Sequence, residues 1–179
     1  MTGKAKISIS FLVALAAFQV WAFLTIPEAM VYFGDPPMPD VRAGGYTADE
    51  IRQVLEQIGE EGRATYLSAQ NKIDWIIPVL GMGMFVMAIW ALAEGLSVGS
   101  ASLTTGQAFL VACIGFGSGL FDLAENVLIA RVMTAGPDNF SPRLVEIASV
   151  CTQFKYTFVV LSIITVLVLA TLRWKQSRQ

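Results

Sequence analysis

Four long apolar stretches, separated by polar connections, dominate the pattern of the chain. They run over residues 7–26, 73–93, 108–130 and 144–172. Each is long enough to cross a bilayer as a helix, which takes about 20 residues, and none alternates like a barrel strand. The pattern therefore predicts an all-α integral membrane four-helix bundle that forms one domain over residues 1–179. The fourth stretch exceeds one span, so we expect its first turns to stand outside the membrane or the helix to tilt.

Composition agrees with this class and excludes several others. Of 179 residues, 55% are hydrophobic and 15% are charged, whereas an average soluble domain has about 25% charged residues. The net charge of −2 comes without a basic block, which gives a nucleic-acid partner no electrostatic support. The chain has no histidine, which excludes histidine-ligated metals, bis-histidine haem and Ser-His or Cys-His catalytic pairs. We expect neither a metal nor a cofactor.

The distribution of charge predicts the orientation. Basic residues flank the first and last stretches without acids beside them: Lys4, Lys6, Arg173, Lys175 and Arg178. The connection over residues 27–72 instead carries eight acidic and four basic residues. By the positive-inside rule, both termini lie in the cytoplasm and the long connection is extracytoplasmic, as in a multi-pass protein of a bacterial inner (plasma) membrane. The first run is longer than the roughly 7–15 residues of a signal core, so we expect it to be retained.

The long loop contains a short amphipathic helix. Thr47 and Glu50 have the spacing of a capping box, in which each side chain bonds the backbone N–H of the other residue. Apolar residues then fall on one helical face: Ile51, Val54, Leu55 and Ile58. Gly59 or Gly62 is expected to end the helix. We favour packing on the outer rim of the bundle, and a lid over a cavity is the alternative.

Polar residues within the apolar stretches carry the chemical information, because ionisable groups in a membrane are costly and normally pair inside the bundle. Asp122, Glu125 and Asn126 are spaced i, i+3 and i+4, so they share one helix face. At about 1.5 Å per residue, all the strongly polar groups fall in the half of the membrane nearer the long loop. We therefore predict a pocket there, lined by Gln19, Asp74, Asp122, Glu125, Asn126, Gln153, Lys155 and Tyr156.

One amine facing three carboxylates leaves three interpretations open. Lys155 can pair with Asp122 or Glu125 in a network that only joins helices. A carboxylate without a partner can instead capture a proton or a cationic ligand. Unequal carboxylates also suit general acid/base chemistry, for which Asp74, Asp122 and Glu125 are the candidate catalytic residues.

Several short motifs carry a resemblance to known proteins. They are Y-T-x-D-E at residues 46–50, G-E-E-G-R-x-x-Y-L at 59–67, D-W-x-x-P at 74–78 and F-D-x-x-E-N at 121–126. In this order they resemble a group of small four-span bacterial membrane proteins with no assigned activity. The resemblance implies four spans in a bacterial inner membrane, and it carries over no catalytic residue.

Two classes of function follow from these features. In the first, the pocket binds a small, lipidic or cationic ligand, or the chain serves as an accessory subunit of a larger membrane complex or a homo-oligomer. In the second, the chain is an intramembrane acid/base enzyme, an isomerase or cyclase acting on an isoprenoid-like lipid. Beyond the lipid bilayer itself, the sequence identifies no partner. A cavity of about 300 Å³ or more between the carboxylates, open to lipid or water, favours binding or catalysis, and a filled, dry core favours the accessory or structural role.

Overall fold

The computed structural model describes residues 3–26, 36–98 and 101–178. Within them lie six α-helices: α1 (Gly3–Thr25), α2 (Ala48–Ile73), α3 (Ile77–Ala93), α4 (Thr105–Ala112), α5 (Ile114–Ala135) and α6 (Pro142–Gln176). A 3₁₀ turn over Pro39–Val41 precedes α2, and a small antiparallel hairpin of β1 (Ser97–Val98) and β2 (Ala101–Ser102) joins α3 to α4. The predicted all-α class is confirmed.

Three helical stretches are long and apolar enough to cross a membrane: Ala48–Ala93, Thr105–Ala135 and Pro142–Gln176. Only 17–33% of their most apolar windows is buried by the rest of the chain. Such wide unburied apolar faces are typical of helices that contact lipid or another protein. Four spans were expected; of the first, the described side chains include a shorter apolar segment, Ser10–Ala22, within the 23 residues of α1.

The helix predicted in the long loop is present and is longer than expected. Thr47 caps it as predicted: its hydroxyl accepts from the amide of Glu50, and the Glu50 carboxylate accepts from the amide of Thr47 at 2.7 Å. Gly59 interrupts the helix with φ +66°, but the chain resumes a helical course and α2 continues to Ile73. The glycine therefore bends the helix where the sequence predicted an end. Residues 27–35 of the predicted loop lie outside the described residues.

We call residues 36–58 together with residues 136–141 the cap. Its apolar side chains form one buried core with Tyr66 of α2 and with the adjoining ends of α5 and α6: Met38, Tyr46, Ile51, Val54, Leu55, Tyr66, Ile129, Val132, Met133, Phe140, Val145 and Ala148. The amphipathic face of α2 is thus packed on the rim of the bundle, as favoured from the sequence. The helix α5 runs beyond its predicted apolar stretch to Ala135, and the cap covers this last turn.

The helices α3 and α5 approach closely beside the bundle centre. A Cβ atom on Gly115 would lie 2.8 Å from the Val86 amide nitrogen, and one on Gly119 would lie 2.8 Å from Met82 Cβ. Glycine is therefore required at both positions, because a larger residue would push the two helices apart. The same proximity lets polar side chains of α5 reach the start of α3.

A second apolar core closes the end of the bundle away from the cap. It contains Val86, Ile89, Ala93, Leu96, Ala108, Ala112 and Leu169. At this end the Arg173 guanidinium donates to the backbone carbonyls of Leu92, at 2.9 Å, and Glu94, which ties α6 to the last turn of α3. The polar groups predicted for the membrane interior lie between the two apolar cores.

Candidate functional site

Lys155 of α6 is the centre of the polar cluster. Its side chain is 10% exposed, and its ammonium lies 2.6 Å from Glu125 Oε2 and 3.2 Å from Asp122 Oδ1. The third contact is the backbone carbonyl of Asp40, at 3.1 Å. An ammonium has three N–H groups; here it donates hydrogen bonds to Asp122 and to the Asp40 carbonyl, and it forms an ion pair with Glu125. The expected pairing of Lys155 with the acids of α5 is present, and it includes both of them.

Glu125 is the most enclosed member of the cluster. Its side chain is 0% exposed. Oε2 faces the Lys155 ammonium, whereas Oε1 lies 2.5 Å from the Thr152 hydroxyl and 3.4 Å from the Tyr46 hydroxyl. Since every contact is with the protein, Glu125 has no open face for a ligand. Its role in this geometry is to fix the position of Lys155.

Asp40 enters the cluster from the cap, 115 residues before its partner in the chain. Its carbonyl accepts from both Lys155 and the Tyr156 hydroxyl, each at 3.1 Å, and its carboxylate accepts from the Tyr66 hydroxyl at 3.0 Å. Burial raises the pKa of the Asp40 carboxyl above its ordinary value, since the charged form loses its hydration. The 3₁₀ turn, which is part of the cap, thus lies across the cluster and covers it on that side.

The turn is held in place by further contacts with α6. The amide of Tyr46 donates to the Ser149 hydroxyl at 2.8 Å. Gly45 has φ +84°, and a side chain there would collide with Ser149 and Gln153. Burial, followed by the nearby Glu125 carboxylate, raises the pKa of the Tyr46 phenol, which keeps it a neutral hydrogen-bond donor.

A cavity of about 230 Å³ adjoins the cluster on the side away from the cap. Its walls come from four helices: Leu15 of α1; Ile77, Pro78, Gly81, Met82 and Phe85 of α3; Ser118, Gly119 and Asp122 of α5; and Lys155, Tyr156 and Val159 of α6. Most of this lining is apolar, and the charged groups Asp122 and Lys155 stand at one end. The cavity therefore combines a polar end with an apolar body.

The structure brings only part of the predicted pocket together. Asp122, Lys155 and Tyr156 line the cavity, whereas Glu125 lies behind them. Gln19 is exposed and does not line the cavity, and this corrects its placement. Gln153 is also exposed and borders a separate shallow groove beside Gly44, because it lies on another face of α6.

Asp74 and Asn126 join helices instead of lining the cavity. Pro78 has no N–H to offer the carbonyl of Asp74, and the Asn126 side-chain amide donates to that carbonyl at 2.9 Å. The Gln70 side chain in turn donates to the backbone carbonyl of Asn126 at 3.0 Å. Asp74 and Glu125, which the sequence predicted as pocket residues, therefore do not line the cavity.

The predicted pocket lacked five members of the site: Asp40, Tyr46, Tyr66, Ser118 and Thr152. Asp40 was counted only as part of the acidic loop. The aromatic pair Tyr46 and Tyr66 stands in otherwise polar segments, and this is the one local signal that could have indicated buried positions.

Comparison of the chain with family models, curated proteins and solved structures finds no match. Within the described ranges, no three Cys, Asp or Glu side chains are arranged to hold a metal ion.

Proposed function

We propose that the chain is a four-span integral membrane protein of a bacterial inner membrane that binds an amphipathic ligand drawn from the bilayer. In this proposal α1 is the fourth span, both termini are cytoplasmic and the cap is extracytoplasmic. The observation that carries the proposal is the cavity beside Asp122 and Lys155, with one charged end and an apolar body.

The arrangement of helices supports entry from the membrane side. The cavity is lined by residues of four helices, and α1 contributes Leu15 while α6 contributes Lys155, Tyr156 and Val159. The 3₁₀ turn at Asp40 covers the cluster on the cap side. In this proposal the apolar part of the ligand contacts the apolar lining while its headgroup meets Asp122, which suits a molecule already dissolved in lipid.

The size of the cavity limits the ligand. Sites for drug-sized molecules usually enclose about 300–1,000 Å³, and this cavity of about 230 Å³ is smaller. It fits a headgroup together with a short part of an acyl or prenyl chain, and the rest of the chain would lie along the outside of α1 or α6. This partial enclosure is expected for a lipid that stays in the bilayer.

The catalytic alternative, an acid/base isomerase or cyclase, now depends on one residue. Of the three candidate carboxylates, Asp122 is the one that lines the cavity, and its side chain is 21% exposed. A proton transfer to a bound lipid would therefore have to use Asp122. Turnover of a lipid that is lost in an Asp122→Asn variant which still binds that lipid would favour the enzyme over the binding protein.

Filling the cavity tests the binding proposal. Gly81 lines the cavity, and a Cβ atom there would meet nothing within 4 Å, so we expect the side chain of Gly81→Leu to extend into this space. Gly106 of α4 is equally open and lies outside the cavity, so Gly106→Leu is the matched control. We expect native mass spectrometry from lipid nanodiscs to detect a retained amphiphile on the wild type and on Gly106→Leu, and its loss from Gly81→Leu. Equal retention by all three proteins would refute a ligand in this cavity.

A further inference from the structure

The hydrogen-bonding groups of the cavity carry an inference about the chemical class of its ligand. Four polar side chains line the cavity: Ser118, Asp122, Lys155 and Tyr156. Three of them have protons to donate, and their acceptors are all within the protein. The Ser118 hydroxyl bonds the carbonyl of Gly115 at 3.3 Å, and the Tyr156 hydroxyl bonds the carbonyl of Asp40 at 3.1 Å.

Lys155 is committed to groups of the protein as well. It donates hydrogen bonds to the Asp40 carbonyl at 3.1 Å and to Asp122 at 3.2 Å, and its ammonium forms an ion pair with Glu125 at 2.6 Å. A ligand that brought only acceptors, such as a phosphate or carboxylate headgroup, would have to compete with these partners for Lys155. That exchange would leave the fully buried Glu125 without its cation, and an uncompensated buried charge is strongly destabilising.

The Asp122 carboxylate, by contrast, can accept further hydrogen bonds at the end of the cavity that it lines. A carboxylate offers about four lone-pair positions, and Lys155 engages Asp122 through Oδ1 alone. Asp122 is also the more exposed of the two acids paired with Lys155, at 21% against 0% for Glu125. A headgroup that donates hydrogen bonds would therefore find an acceptor at the charged end of the cavity.

The balance of charge in the cluster favours a positively charged donor headgroup over a neutral one. Three carboxylates belong to the cluster in the described part of the chain. Lys155 is the cation that contacts those of Asp122 and Glu125, whereas the Asp40 carboxylate accepts from the Tyr66 hydroxyl. A positive headgroup reduces this excess of negative charge, whereas a hydroxyl group leaves it unchanged. Two aromatic residues, Phe85 and Tyr156, also line the cavity, and aromatic rings attract cations; the Lys155 ammonium lies 5.2 Å from the centre of the Tyr156 ring.

We propose that the ligand is an amphipathic primary amine whose ammonium group donates to Asp122, with its apolar chain lying against Met82, Phe85 and Val159. This inference rests on the binding function proposed above and adds the class of headgroup to it. The ammonium of the ligand would provide a second cation for the α5 carboxylates, opposite Lys155.

Amphiphiles of equal chain length and different charge test this assignment. Decylammonium, decanol and decyl sulfate are titrated calorimetrically into the full-length protein in zwitterionic nanodiscs, with empty nanodiscs as the blank. A hydrogen bond to a charged group contributes enough to change affinity by about tenfold or more. We expect decylammonium to bind at least about tenfold more tightly than decanol, and decyl sulfate to give no heat above the blank.

Two variants separate the headgroup from the cavity. Asp122→Asn should lower the affinity for decylammonium to that for decanol and leave decanol binding unchanged, whereas Gly81→Leu should abolish binding of both. Decyl sulfate or decanol binding as tightly as decylammonium would overturn the amine assignment and keep the proposed cavity. If no amphiphile distinguishes the wild type from Gly81→Leu, both proposals are wrong. The comparison within the wild type remains decisive if Asp122→Asn does not fold.

Discussion

Replacing Lys155 by methionine tests whether the cluster stabilises the fold. The substitution preserves a long apolar side chain but removes the ammonium from Asp122, from the fully buried Glu125 and from the Asp40 carbonyl. Breaking a buried ion pair by removing one partner costs on the order of 3–5 kcal/mol. For a chain of this size, each kcal/mol lowers the melting temperature by about 2–4 °C, so the expected loss is roughly 6–20 °C.

The assay is thermal unfolding in a mild detergent, combined with a double-mutant cycle. Lys155→Met together with Glu125→Gln removes both charges, and the pair should lose less stability than the sum of the single changes. Lys175→Met, on the exposed end of the same helix, controls for the loss of a lysine and should leave the melting temperature unchanged. Additive losses in the cycle, or a Lys155→Met protein as stable as the control, would refute the pairing.

Three further predictions concern the cap and the orientation. Thr47→Ala removes one half of a capping box, and we expect it to lower the unfolding free energy by about 0.5–2 kcal/mol; an unchanged denaturation midpoint would contradict this. Because burial raises the pKa of Asp40 above 3.8, its contribution to stability is present below that pH and lost as pH rises through the folded-state value. Stability measured against pH should therefore rise for the wild type relative to Asp40→Asn as the medium is acidified, and parallel profiles would disprove it. In a cysteine-free background, an impermeant thiol reagent applied to intact cells should label a cysteine at the exposed Glu56 position and miss one at Ser177; the opposite pattern would reverse the proposed topology.

Sequence patterns predicted the features that depend on neighbours in the chain. The capping box at Thr47 and Glu50 lies within one turn, so its two side chains meet whenever the helix forms. The spacing of Asp122 and Glu125 places both acids on one face of α5, and both contact Lys155. Such arrangements follow from helix geometry alone.

Features that depend on distant contacts could not be predicted in the same way. Asp40 belongs to a polar connection, and only the folding of the 3₁₀ turn onto α6 brings its carbonyl to Lys155. The sequence also placed Gln19 inside the pocket because of its depth along the helix. Depth does not specify which way a side chain faces, and the rotation of α1 leaves Gln19 exposed.

Asp74 shows that the backbone carbonyl of a residue can contact a neighbouring helix where the sequence indicated a role for its side chain. An acidic residue at the start of an apolar stretch indicated a carboxylate partner in the pocket. The contact that joins it to α5 is instead made by its carbonyl, which Pro78 leaves without a helical donor and Asn126 satisfies. A proline four residues after the end of a helix leaves a carbonyl without its helical donor. Together with an asparagine on a neighbouring helix, it can therefore indicate a contact of this kind.

A structure determined in native lipid tests the central claim most directly. We expect elongated density in the cavity between α1, α3, α5 and α6, with its polar end within hydrogen-bond distance of Asp122 and its apolar part along Met82 and Phe85. The same preparation of Gly81→Leu should lack that density. A wild-type cavity closed by side chains, or occupied only by water at Asp122, would contradict a ligand-binding function and leave the cluster as an element of the fold.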